Sequence, residues 1–396
     1  MDWNTLPFDK PHFVLLESSL GGQWTIAAWD PVEVIQAREN ESGEDFLERF
    51  REVLVRTPKT PPSKEPFTGG WIGYLGYELG ASLEKSVPDR PTSLIPRAMM
   101  TYYDRFSLYD GSGSLEERGE LPVRRAPKVT RCESDYFNEI QKIKKWITAG
   151  DCYQVNLSQK FSQPISTTAP EIYHRLRAVS PAPYSAYLNL GNAQILSSSP
   201  ECFLEVNGRR VITRPIKGTR PRGGTSAEDA SLKEELVTST KDRAELLMIT
   251  DLERNDLGRV CRPGSIHVSD LRKVETFPQV HHTVATIEGE LDDGHNIIDL
   301  LKATFPGGSI TGAPKVRAMQ IIRELEPHAR EIYCGAIGYI STNGRAQFNV
   351  AIRTMVVKDG QAHFWSGGGI VADSHPESEY QESLVKAEGI RRALAD

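Results

Sequence analysis

Along the chain the spacing of hydrophobic residues changes period several times, and each change marks an element. From Ser134 to Gly150 the apolar positions Tyr136, Ile140, Ile143 and Ile147 recur at intervals of three and four, the stripe of an amphipathic helix. Ser134 is placed to cap its start and Gly150 to end it. Further on, the period drops to two in short runs joined by Asn207-Gly208, Asn343-Gly344 and Asp359-Gly360. Such dipeptides tolerate positive φ and so suit two-residue hairpins. Helical stretches lie between: KDRAELLMITDL (241–252), a segment beginning near Pro314 with Val316, Met319 and Ile322 on one stripe, and one starting near Pro376. Antiparallel hairpins interleaved with helices that must bury a face predict an α+β fold with helices layered on sheet.

Composition adds bounds. A chain of 396 residues, 39% hydrophobic and 25% charged, can bury the large core of an ordinary globular protein. The charged, Pro-containing segment from Leu115 to Arg131 is the best candidate boundary, and two Pro-rich stretches (57–66 and 87–96) read as surface connectors. A net charge of -6 gives nucleic-acid binding no support. No apolar run approaches the roughly 18 residues that span a bilayer, and the first residues lack a basic-then-apolar signal. Five scattered cysteines without a CxxC pair point to five reduced, buried thiols in a cytoplasmic protein.

Several constellations can carry chemistry. Asp242 and Glu245 lie three apart on one helix, and Glu379 and Glu382 repeat that spacing on another. Two such pairs can supply hard oxygen ligands to Mg²⁺, although acidic residues near helix starts are also common without a metal. Gly307, Gly308 and Gly312 precede the helix near Pro314, where Ala313-Pro314 breaks any nucleotide P-loop. Gly367, Gly368 and Gly369 end an expected strand, where a ligand can approach the main chain. Arg353 alternates with Ala351 and Met355 on an expected strand and requires an anion, either an internal carboxylate or a ligand. Lys217 stands among Arg214, Arg220 and Arg222, as a solvated basic turn or as a nucleophile whose amine is made neutral by its neighbours.

These motifs, taken in order, resemble the chorismate-utilising enzyme family. The matching stretches are SSPECFL, PIKGT, KDRAELLMITDLERNDLGRV, HHTVATIEGEL, FPGGSITGAPKVRAM, YCGAIGYI, FNVAIRTM and SGGGIVADSHPESEYQE, joined near the N-terminus by LLES and GGWIGYLGYE. The resemblance implies a layered αββα sandwich of antiparallel sheets with helices outside. It also implies an N-terminal region over 1–125 interwoven with a chorismate-binding catalytic region over 126–396. Carried across residue by residue, it makes Glu245, Glu379 and Glu382 ligands of Mg²⁺, with Asp242 farther out. Arg353, Tyr339, Thr311, Gly312, Lys386 and the backbone of Gly367, Gly368 and Gly369 would bind the substrate, with His282 beside the ring. Glu201 would be the acid that assists loss of the 4-hydroxyl. Ser18, Pro183 and Tyr184 match a pocket that holds tryptophan in some relatives.

Two positions discriminate within the family. Anthranilate synthases read alanine where Lys217 stands, and a lysine there resembles the aminodeoxychorismate synthases. Isochorismate and salicylate synthases place a water-activating lysine at the position of Gln154, and glutamine cannot act as that base. The resemblance therefore implies transfer of ammonia to chorismate through a covalent lysine intermediate, on the route to p-aminobenzoate and folate. The ammonia would come from a glutamine amidotransferase subunit. An anthranilate-forming lyase and a catalytically silent chorismate or amino-acid sensor are the alternatives.

Overall fold

The structure, a computed structural model, describes residues 3–20, 24–111, 132–277 and 280–395, together with the backbone of 128 and 129. The candidate boundary at 125 and most of the segment from Leu115 to Arg131 lie outside the described residues. Two large antiparallel sheets form the centre. The first runs, in spatial order, through 312–313, 154–164, 361–370, 354–358, 194–199, 184–189, 14–17, 24–28 and 106–110. The second runs through 216–221, 280–290, 210–214, 202–207, 345–350, 336–341, 70–75, 98–103 and 33–36, with 267–276 also paired to 280–290. Strands from before and after the 112–127 segment thus share both sheets.

Period-two alternation builds the layers. Val14, Ile26, Ala186, Leu188, Ile195 and Val356 join Ile72, Tyr74 and Ile337 of the other sheet in one buried cluster between the sheets. Their neighbours Leu15, Ala27, Tyr187, Leu196, Met355 and Val357 face the other way, onto Tyr173, Leu176, Ala387 and Ile390 of the helices Ala169–Val179 and Pro376–Ala393. The helices Ser226–Thr238 and Thr240–Gly258 pack on the second sheet. The result is the expected αββα sandwich. All three N-G and D-G hairpins are present.

Four local expectations change. The helix Glu133–Thr148 starts at Cys132, and Ser134 lies inside it, its hydroxyl 3.0 Å from the Cys132 sulfur. Cys132 is exposed, whereas the other four thiols are buried. The three glycines do not end a strand. The strand runs on through them to Ile370, and Gly367, Gly368 and Gly369 pair with Ser158, Leu157 and Asn156 in that order. Arg353 is in no strand: it has φ +50 at a bend between Arg345–Val350 and Thr354–Lys358.

Candidate active site

That bend is informative, because there the chain crosses from the second sheet to the first. A second crossing runs the other way, from Gln194–Ser199 to Cys202–Asn207, with Glu201 at its turn. The two crossings are bonded side by side. Val350 N–H donates to the Glu201 carbonyl at 3.0 Å, the Ser199 hydroxyl donates to the Val350 carbonyl at 2.6 Å, and Ser198 N–H to the Arg353 carbonyl at 3.1 Å. A buried acid and a half-buried guanidinium are thereby fixed at adjacent places. Among the described residues no carboxylate pairs with Arg353, and burial alone pulls its guanidinium below the usual value. An internal acidic partner is not what holds it, so an anionic ligand remains its natural counterion.

Glu201 is 4% exposed and accepts the Ser309 hydroxyl at 2.6 Å. Burial raises its carboxyl above the ordinary range, against Ser309 and the charge of Lys217. Lys217 donates from Nζ to the Ser309 carbonyl at 3.0 Å. A bulge presents it: the register slips between Lys217 and Thr219, opposite Thr283 and His282, around Gly218 at φ +78. A side chain at Gly218 would come within 3.0 Å of Asp242 and Thr283, so glycine is needed for both space and φ. Burial lowers the Lys217 ammonium below its usual value, while Glu245 and Glu201 oppose it and Lys386 assists. The three arginines expected to do this are engaged elsewhere. Arg214 pairs with Glu275, Arg220 with Glu235 and Asp242, and Arg222 with Asp229.

The acidic pairs face each other across two helices. Glu379, 5% exposed, accepts the Ser374 hydroxyl at 2.6 Å, and Lys386 Nζ lies 2.6 Å from Glu382 and 3.2 Å from the Gly367 carbonyl. Burial raises Glu245, with Asp242 and Glu379 adding repulsion, and it raises Glu379, with Glu382 adding more. At Glu382 burial pushes up too, but Lys386, Lys241 and Lys217 outweigh it and the net shift is downward. Among the described residues no three acidic, histidine or cysteine side chains already stand at metal-ligand spacing. The donor chemistry nonetheless fits Mg²⁺: three carboxylates on facing helices, two of them raised partly by their mutual repulsion. Asp242 is tied to Arg220 at 3.2 Å and fits an outer place. A methyl on Gly368 would lie 3.3 Å from Glu379 Oε2 and 3.6 Å from both Glu382 Oε1 and Lys386 Nζ, so this backbone borders the cluster directly.

His282 is 2% exposed; its Nδ1 is 2.8 Å from the Thr219 hydroxyl, and among the described residues its Nε2 has no hydrogen-bond partner. Burial, then the charge of Arg353, holds its pKa down to about 3, which makes it a neutral ring. Gln154 is buried beside Gly369, and among the described residues neither of its amide atoms has a hydrogen-bond partner. Thr311 spends its hydroxyl on the Gly307 carbonyl at 2.9 Å, and Gly312 has no room for a side chain beside the Gln154 carbonyl, so both shape the loop.

Tyr339 stands apart from these residues. It lines a separate cavity of about 360 Å³ together with Ser18, Pro183, Tyr184, Glu205 and Arg345, away from the Lys217 group. Two residues escaped the sequence. Ser309 touches both Glu201 and Lys217, yet in FPGGSITG it reads as loop filler. Lys241 lies 3.9 Å from Glu245, with no signal beyond being a lysine in a first helical turn.

The chain is similar to known proteins over most of its length. Residues 11–392 match a family model described as chorismate binding enzyme. Aminodeoxychorismate synthase component 1 of Bacillus subtilis is 39% identical, over 97% of this chain and 92% of its own. Anthranilate synthase component 1 of Streptomyces coelicolor is 36% identical, over 89% and 78%. The crystal structure of anthranilate synthase component I from Streptococcus pneumoniae superposes with a TM-score of 0.81 at 30% identity, covering 93% of this chain and 92% of that one.

Proposed function

The chain belongs to the chorismate binding enzyme family, and from that premise we propose that it aminates chorismate at C4, giving 4-amino-4-deoxychorismate. The observation that carries this is Lys217, a lysine lowered by burial and sharing Ser309 with the buried acid Glu201. By the family resemblance, a lysine at that place goes with the aminating members and an alanine with the anthranilate-forming ones. Mg²⁺ would be held by Glu245, Glu379 and Glu382, with Asp242 farther out, and when bound supplies positive charge for the ring carboxylate. Arg353 takes the other carboxylate, and the glycine backbone at 367–369 lets the ring lie close.

The chemistry then divides between two side chains. Neutral Lys217 attacks C2, the ring double bonds shift, and the 4-hydroxyl leaves as water with the proton of Glu201. Ammonia adds at C4, the double bonds shift back and the Lys217 amine is expelled. The extra proton on the new C4 nitrogen returns to Glu201, so the enzyme is restored and the pyruvyl ether survives. The name "component 1" borne by several relatives supports a second component, and we assign it the release of ammonia from glutamine. With chorismate, Mg²⁺ and ammonium at raised pH, the purified chain should form a product of the mass of aminodeoxychorismate, and with glutamine alone it should form none. Fluorescent anthranilate as the product, or no turnover, would overturn the assignment.

A further inference from the structure

We propose that Ser309 is a positioning residue that ties the acid and the nucleophile into one unit and aims the Glu201 carboxyl at the leaving hydroxyl. The inference rests on the amination mechanism above and adds a member to it. Ser309 is 3% exposed and lies in the one-turn segment Gly308–Ile310. Its hydroxyl donates to Glu201 Oε1 at 2.6 Å and its carbonyl accepts from Lys217 Nζ at 3.0 Å. The segment is itself fixed, since the buried Arg330, paired with Glu326 at 2.7 Å, donates to the Ile310 carbonyl at 3.2 Å and the Asn156 carbonyl at 2.8 Å. Thr311 closes its other side on Gly307. A carboxyl swinging freely about its last torsion would present its proton to the substrate only part of the time, and the short bond to Ser309 removes that freedom.

The two contacts use different atoms, which makes the idea separable. Ser309→Ala keeps the carbonyl for Lys217 and deletes only the bond to Glu201. The groups facing Glu201 are Lys217 and Lys386, the buried acid Glu253, and the thiols of Cys202 and Cys334. None of these changes in the variant. Losing a donor to the carboxylate raises the acid further, so two effects of opposite sense follow.

The experiment is single-turnover formation of the chorismate–enzyme adduct as a function of pH, without ammonia, in wild type, Ser309→Ala, Glu201→Gln and the double variant. In Ser309→Ala the plateau rate should fall about tenfold to a hundredfold, while the limb where the acid loses its proton moves to higher pH. Ser309→Thr, which keeps the hydroxyl, should return the limb to its wild-type position. In the Glu201→Gln background the alanine change should cost nothing more. If Ser309→Ala does not fold, Ser309→Cys, nearly isosteric but a weak donor, carries the same prediction. An unchanged plateau, an unmoved limb, or a loss that adds fully to that of Glu201→Gln would overturn the role of Ser309. A wild type that turns over chorismate to another product would instead overturn the mechanism on which it rests.

Discussion

A carboxyl group that burial keeps protonated leaves a record in the pH dependence of stability. Glu253, in the helix Thr240–Gly258, is 7% exposed, accepts the Thr213 hydroxyl at 2.7 Å, and is pushed by burial up to about 8, with Glu201 and Asp256 adding to the rise. In the unfolded chain it titrates near 4.5. Between those values the folded state holds a proton that the unfolded state has lost, so stability falls as pH rises from about 4.5 to 8 and is level above. Glu253→Gln keeps the shape and the Thr213 bond but removes the titration. Its melting temperature should therefore gain on the wild type as pH rises, by roughly 2–5 °C at pH 8 relative to pH 5. Parallel melting curves would show that Glu253 ionises as an ordinary acid. Residue types were the most legible part of the candidate site: the paired glutamates stand out by spacing, and Glu201 and Lys217 by the family resemblance. What a motif cannot show is which partner each group finds. The cluster Arg214, Arg220 and Arg222 looked like the source of the lysine's lowered basicity, and each is in fact neutralised by its own carboxylate.

At the scale of elements, alternation and N-G or D-G turns were sufficient for the hairpins, because both are local. Arg353 was misplaced for the opposite reason. Its neighbours alternate as a strand does, and only pairing with 202–207 on one side of it and 194–199 on the other, both far away in sequence and in different sheets, makes the chain turn there at positive φ. The glycine run likewise looked like a strand end, since glycine weakens strands when nothing requires it. Here two different requirements act within one strand. A methyl at Gly367 would come to 2.0 Å of the Leu157 carbonyl, whereas one at Gly368 would enter the space beside Glu379 and Glu382. Gly367→Ala should then destabilise the fold by about 1–3 kcal/mol. Gly368→Ala should melt close to wild type yet lose about tenfold or more in kcat/KM for chorismate. Thermal melts set beside kinetics separate the two, and a reversed pattern would mean that the site lies on the other face of the strand.

For the molecule as a whole, the candidate site forms where the chain changes sheets twice at one place. Glu201 and Arg353 sit on the two crossings, the bulge at Gly218 brings in Lys217, and helices from opposite layers, Thr240–Gly258 and Pro376–Ala393, bring the carboxylates. The cavity lined by Tyr339, Tyr184 and Ser18 does not include Lys217, Glu201 or the paired glutamates in its lining. No helix among the described residues is long and apolar enough to cross a membrane. In the proposed reaction this junction would make a lysine amine a nucleophile toward chorismate, and intact mass tests that most directly. Wild type and Lys217→Ala are exposed briefly to chorismate and Mg²⁺ without an amine donor, then quenched in acid. The wild type should gain the mass of chorismate less one water, mapped to Lys217, and the alanine variant should show no gain while still binding chorismate in the presence of Mg²⁺. An adduct on another residue, or one that persists in Lys217→Ala, would contradict the account.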